Sequence, residues 1–173
     1  MSHSQEPVTF NRIWREMAPD RRLLAAQALW ADEDSGRQQA DAVQAIARQL
    51  RFRPQSVLRL DPSKLARHLA SLRTVSESVA ARMLVVYHLA SQRPMLEAFL
   101  SSVGVAHTDG MITESPKQPP DPARLRDAVA SLLAGFPAED VRVYVQTLAV
   151  QDPDVWGALG PIATELLPAA PRG

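Results

Sequence analysis

The 173-residue chain has no cysteine. That excludes disulfides, thiolate metal sites and cysteine nucleophiles, and it fits a cytoplasmic protein. Glycine is sparse, at seven residues, and none falls in a Gly-x-Gly-x-x-Gly phosphate cradle, a Lys-Ser/Thr nucleotide loop or a Gly-x-Ser-x-Gly elbow. Aromatics make up only 5% of the chain, so a core has to be built mainly from Leu, Val and Ala. Long apolar runs are missing too. The longest, MLVVY at 83–87, is far too short to span a bilayer, so no membrane partner is expected. The opening stretch MSHSQEPVTF has neither a basic segment nor an apolar one, which argues against a secretory leader there.

What is present is ordinary for a globular protein: 46% apolar and 22% charged residues. A chain of this size buries roughly 70% of its unfolded surface and needs no metal or disulfide staple. A single helical domain is expected over 1–165, with a flexible tail over 166–173.

Proline marks the helix starts. Pro19, Pro54, Pro62, Pro94, Pro122, Pro137 and Pro153 each precede an apolar pattern of helical period, and the first helical turn is where a missing N–H does no harm. Asp61, Asp121 and Asp152 stand directly before three of these prolines, where a carboxylate can cap the first turn. Thr74 with Glu77 has the spacing of a capping box for the helix that carries Val79, Met83, Val86 and Ala90. VRVYV at 141–145 alternates like a strand, yet Val141, Tyr144, Val145 and Leu148 keep the helical spacing, and helix is expected. Phe10, Ile13, Trp14 and Met17 give an N-terminal helix over 9–18 an apolar stripe suited to capping the rest.

The pattern also recurs. DPSKLARHLASL at 61–72 lies over DPARLRDAVASL at 121–132, and LASQRP at 89–94 over LAVQDP at 148–153. A fainter copy begins at PDRRLLAAQALW, residues 19–30. The expected fold is therefore all-α. It is either a helical-hairpin array of three units (19–60, 61–103 and 121–165), in the size class of armadillo and HEAT repeats, or a compact helical bundle.

The second and third units are separated by an insertion, residues 104–120. Within it VAHTDGMI reads as a β-hairpin at 105–113, with Val105-Ala106 facing Met111-Ile112 across an Asp-Gly turn and Gly104 ending the preceding helix. Its free edge could pair with that of a second copy in a homodimer. His107 and Asp109 are the chemistry-bearing residues here. One reading makes them metal ligands or an acid/base pair, for which His88 and His68 are the histidines that could approach. The other makes them turn residues only. The acidic cluster Asp32, Glu33 and Asp34 lacks the spacing of a calcium loop and reads as a helix connection.

Net charge is zero, but it is unevenly spread. Between Arg48 and Arg93 there are nine Lys/Arg against only Asp61 and Glu77. Arg48, Arg51, Arg59, Lys64, Arg67 and Arg73 form a candidate basic surface for an acidic partner or for phosphates. The acidic third unit, with Glu139, Asp140, Asp152 and Asp154, is a candidate to meet that surface head-to-tail in an oligomer. No catalytic signature, cofactor motif or metal motif is present. The expected function is non-catalytic binding of a protein partner. Nucleic-acid binding through 48–93, and a metal or acid/base site in the insertion, stand as alternatives.

Overall fold

The structure, a computed structural model, describes residues 6–169. The expected absence of a leader therefore rests partly on residues 1–5, outside the described range, and the expected tail lies outside it from residue 170 onward. Among the described residues the chain is all-α apart from one two-stranded hairpin. The helices are α1 (Phe10–Glu16), α2 (Pro19–Ala31), α3 (Gly36–Leu50), α4 (Pro54–Leu58), α5 (Pro62–Ser71), α6 (Glu77–Ser91) and α7 (Arg93–Ser102). After the hairpin strands β1 (His107–Thr108) and β2 (Met111–Ile112) come α8 (Pro122–Gly135), α9 (Ala138–Gln151), α10 (Pro153–Trp156) and α11 (Leu159–Leu166). No described helix is long and apolar enough to cross a membrane.

The punctuation works as the sequence suggests. Pro19, Pro54, Pro62, Pro94, Pro122 and Pro153 occupy the first two positions of their helices, while Pro137 stands one residue earlier, as the N-cap of α9. Asp61, Asp121 and Asp152 each accept a backbone N–H of the turn they open. The capping box at Thr74 does not form. Ser76 caps α6 through the Val79 N–H, and Glu77 turns instead to α1, where its carboxylate accepts from the N–H groups of Phe10 and Asn11 at 3.1 and 2.9 Å. Thr9 takes the next donor, Arg12 N–H, at 3.1 Å. Three orphan donors of a seven-residue helix are thereby satisfied. Such a short helix has little stability of its own; tertiary contacts hold it. Trp14, fully buried, donates its indole N–H to the Leu72 carbonyl at 2.9 Å.

Apolar side chains gather in two clusters. The first draws on α1 to α6 and is centred on Trp14, Leu29, Ile46, Leu69, Met83 and Leu84. The second draws on α7 to α11, around Phe99, Leu125, Val129, Val145 and Trp156. α2 lies along α5 and α6, whereas α8 lies against α7, α9 and α11, so corresponding helices of the successive units have different neighbours. Leu166 closes α11, and Leu167 is buried in the second cluster, so the ordered chain runs past the expected boundary at 165.

Two helices reach both clusters: α6, whose Leu89 packs against the second, and α9. The expected stripe of α9, Val141, Tyr144, Val145 and Leu148, faces the second cluster, and Val143 on the opposite side enters the first. At its start, Glu139 accepts the Ala18 N–H at 2.9 Å, and Asp140, only 5% exposed, receives Arg21 of α2 through two bonds of 3.0 and 3.2 Å. Two of the four carboxylates expected to meet a second copy, Glu139 and Asp140, thus tie the first cluster to the second. Removing one member of a buried pair strands the other in a place it cannot be hydrated. Arg21→Met is expected to lower the unfolding free energy by roughly 3 kcal/mol, and the double change with Asp140→Leu to recover most of it. Urea unfolding of the three proteins measures this. A loss below roughly 0.5 kcal/mol in Arg21→Met, the range of an ordinary surface change, would show that the pair is no tie.

Candidate binding surface and the inserted hairpin

The basic residues lie along the stretch that runs from the end of α3 through α4 to just past α5. Arg51 ends α3 in the left-handed conformation, at φ 55°, and the Phe52 N–H closes the helix on the Ala47 carbonyl at 2.9 Å. An L-residue bears roughly 1–2 kcal/mol of cost there that glycine would avoid. Near Arg51 in the chain stand Arg48 on the last turn of α3, Arg53 before α4 and Arg59 after it, all exposed. α5, which packs on α3, carries Lys64 and Arg67 on its exposed side, and Arg73 follows it.

These charges are not consumed by folding. Among the described residues Arg48, Arg51, Arg53, Arg59, Arg67 and Arg73 make no ion pair, and Lys64 reaches only its own capping residue, Asp61, at 4.0 Å. Arg82 is different. It pairs with Asp32 at 2.6 Å and donates to Ser35, pinning the α2–α3 connection onto α6. The Ser35 hydroxyl and Arg82 together hold the Asp32 carboxyl below its usual range. The acidic cluster at 32–34 is a helix connection, as expected. Two large apolar side chains are exposed along the same stretch: Phe52 is 54% exposed and Leu58 64% exposed, although Val57 beside Leu58 is fully buried. Sequence reasoning placed the arginines but not this pair. The signal available was weak, since Leu58 lies in a five-residue helix with one buried position.

The insertion folds as a hairpin one step tighter than expected. His107 pairs with Ile112 and Thr108 with Met111, so the ladder begins at 107 rather than 105, and Val105 is buried in the second cluster instead. Gly104, at φ 73°, ends α7, and the Val105 N–H reaches back to the Leu100 carbonyl at 2.9 Å. Asp109 and Gly110 form the turn at φ 52° and 82°. A Cβ on Gly110 would stand 2.8 Å from that of Leu96, so the turn presses directly on α7.

His107 Nε2 lies 2.9 Å from the Ser101 hydroxyl, and Asp109 serves the turn. His68 sits on α5 in the other half of the molecule. No three His, Asp or Glu side chains gather to hold a metal among the described residues.

His88 of α6 is fully enclosed. Its ring lies 5.2 Å from that of Tyr87 and 5.3 Å from that of Tyr144. Burial lowers its pKa to about 4, outweighing the opposing pull of the Leu84 carbonyl and of Asp140. Burial likewise pushes the Tyr144 hydroxyl up. Neither ring carries charge near neutrality. Comparison with known protein families, curated proteins and solved structures finds no match to this chain.

The buried imidazole sets a pH dependence. Above pH 6.5 it is neutral in both folded and unfolded chains, and contributes no slope. As pH falls from 6.5 towards about 4, the unfolded chain takes up a proton that the native site refuses. Stability should therefore drop across that window, by about 3 kcal/mol in total. Urea titrations through the window, on the natural protein and on His88→Leu, check this. The substituted protein should show a much flatter profile; equal slopes would contradict a native imidazole held neutral.

Proposed function

We propose that this protein is a non-catalytic interaction protein that binds an acidic segment of a protein partner at the α3–α4 corner. The observation that carries this reading is the set of exposed, unpaired arginines around Phe52 and Leu58. Free cations bring an acidic chain in and fix its register. Exposed apolar side chains among them supply the desolvated anchor on which affinity usually rests. A left-handed Arg51 fits the same picture, since backbone strain is retained where the surroundings use it. The three helical units serve as the framework that presents this corner.

A protein segment is favoured over nucleic acid by the kind of apolar surface present. Single strands are held by stacking on aromatic side chains, and the stretch exposes one aromatic, Phe52, and one large aliphatic, Leu58. Leucine gives a base nothing to stack on, whereas it packs well against apolar residues of a peptide.

Fluorescence anisotropy distinguishes the two, with a labelled peptide of glutamate alternating with leucine and tryptophan, and a labelled oligothymidylate. The peptide should bind more tightly, weaken with salt, and lose roughly tenfold in affinity when Arg51 and Arg53 are both changed to Glu. Phe52→Ser should weaken it as well. Tighter binding of the oligothymidylate, lost in the same double reversal, would replace the protein partner by nucleic acid. Absence of salt-sensitive binding to either would overturn the reading. Arg51→Gly separates binding from folding: it should weaken the peptide complex while leaving stability unchanged or raised by up to about 1 kcal/mol.

A further inference from the structure

A pocket of about 350 Å³ opens to solvent where α1, α9 and the end of α11 meet. α1 contributes Arg12 and Glu16, α9 contributes Arg142 and Gln146, and the end of α11 contributes Ala163 and Leu167. Arg142 is the anomaly. It is only 6% exposed, yet it makes no ion pair among the described residues. Its Nη2 is enclosed and has no hydrogen-bond partner. Nε and Nη1 are unbonded too among the described residues, but they are not enclosed. The little surface that Arg142 keeps therefore includes its charged end, and the pocket is where that surface lies.

Nothing in the lining balances this charge. Arg12 and Glu16 hold each other at 2.9 Å and cancel, which leaves one net positive charge on the walls. The other nearly buried charge of α9 is treated differently: Asp140, 5% exposed, has Arg21. Buried charges are ordinarily paired, and an arginine cannot escape by losing its proton. Water entering from the open side meets the hydrogen-bonding demand of Nε and Nη1 but brings no countercharge. An anion brings both.

The walls also select the anion. A carboxylate carries the single negative charge that is missing and accepts well from a guanidinium. Gln146, one turn along the same face of α9, offers an amide N–H beside it. Glu16 disfavours a second negative charge. Ala163 and Leu167 give the pocket an apolar side that a short hydrocarbon chain can cover. We infer that this pocket is a binding site for a small aliphatic monocarboxylate, with its carboxylate on Arg142 and Gln146 and its chain against Ala163 and Leu167. None of these residues belongs to the α3–α4 corner, so the assignment stands or falls apart from the function proposed above.

The test is a titration of the full chain at neutral pH and constant ionic strength, followed by amide and guanidinium ¹⁵N chemical shifts. The probes are butyrate, its neutral analogue butyramide, and inorganic phosphate. Butyrate should bind saturably, with a Kd on the order of 1 mM, and should move the Arg142 Nε resonance with the amides of Gln146 and Leu167. Butyramide should not bind. Phosphate, with more charge and no chain, should bind at least roughly tenfold more weakly. Arg142→Gln should abolish the butyrate complex. Glu16→Gln, which removes a half-exposed negative charge and leaves the fold intact, should tighten it severalfold. No saturable shift with butyrate overturns the assignment. So does equal binding of butyramide or of phosphate to the natural protein, comparisons that need no variant to fold. An affinity unchanged by Glu16→Gln would place butyrate elsewhere and overturn it as well.

Discussion

The structure depends on the burial of α9 on both of its sides. A helix that turns a whole face to solvent can put its polar residues there; α9 has little such face, with most of its residues from Asp140 to Leu148 buried. Val141, Tyr144, Val145 and Leu148 fill one cluster while Val143 enters the other; of the polar residues left between them, Asp140 and Thr147 find partners inside the protein, whereas Arg142, also buried, keeps one guanidinium nitrogen without a partner. Thr147 donates to the Val143 carbonyl one turn back, at 2.7 Å. Asp140 pairs with Arg21. The position of Glu139 and Asp140 is apt on two counts. Carboxylates are favoured at a helix start, and this start abuts the beginning of α2, where Ala18 caps with no side-chain acceptor of its own. One pair of acids therefore serves two helix ends and joins the clusters.

The same economy governs the small N-terminal helix. Glu77 opens α6 and also satisfies the first donors of α1, and Trp14 closes the contact from the other side. Folding thus employs the carboxylates near the clusters, and Arg21 and Arg82 with them. The corner arginines are left over. Their exposure, and that of Phe52 and Leu58, follows from a segment too short to have a second buried face. Surface chemistry and core construction draw on different residues here, which is why changes at the corner need not disturb the fold.

Much of the helical outline was legible in the sequence because its signals are local. Proline with a preceding aspartate fixes a helix start through two neighbouring residues, and the Gly104 and Asp109-Gly110 turns depend on backbone freedom at single positions. Helical spacing also sufficed to choose helix over strand for VRVYV. The errors lie where the deciding contact is distant in sequence. Glu77 had the right spacing to cap its own helix, but the N–H groups of Phe10 and Asn11, more than sixty residues away, use it instead. The hairpin ladder starts at His107 because Val105 is drawn into the second cluster. The acids of the third unit looked like an outward surface, and Arg21 draws Asp140 inward. For the site, charge clustering located the arginines. The exposure of Leu58 and the unpaired guanidinium of Arg142 are products of packing, with no local pattern to announce them.

If α9 joins the two clusters as described, neither can open without the other. Native-state hydrogen exchange in low urea tests this most directly, by following the slowest amides of α2 in the first cluster and of α8 in the second. Joint opening gives one opening free energy and one urea dependence for both, equal to those of global unfolding. Separate values, with α8 exchanging through a smaller opening while α2 stays protected, would contradict it.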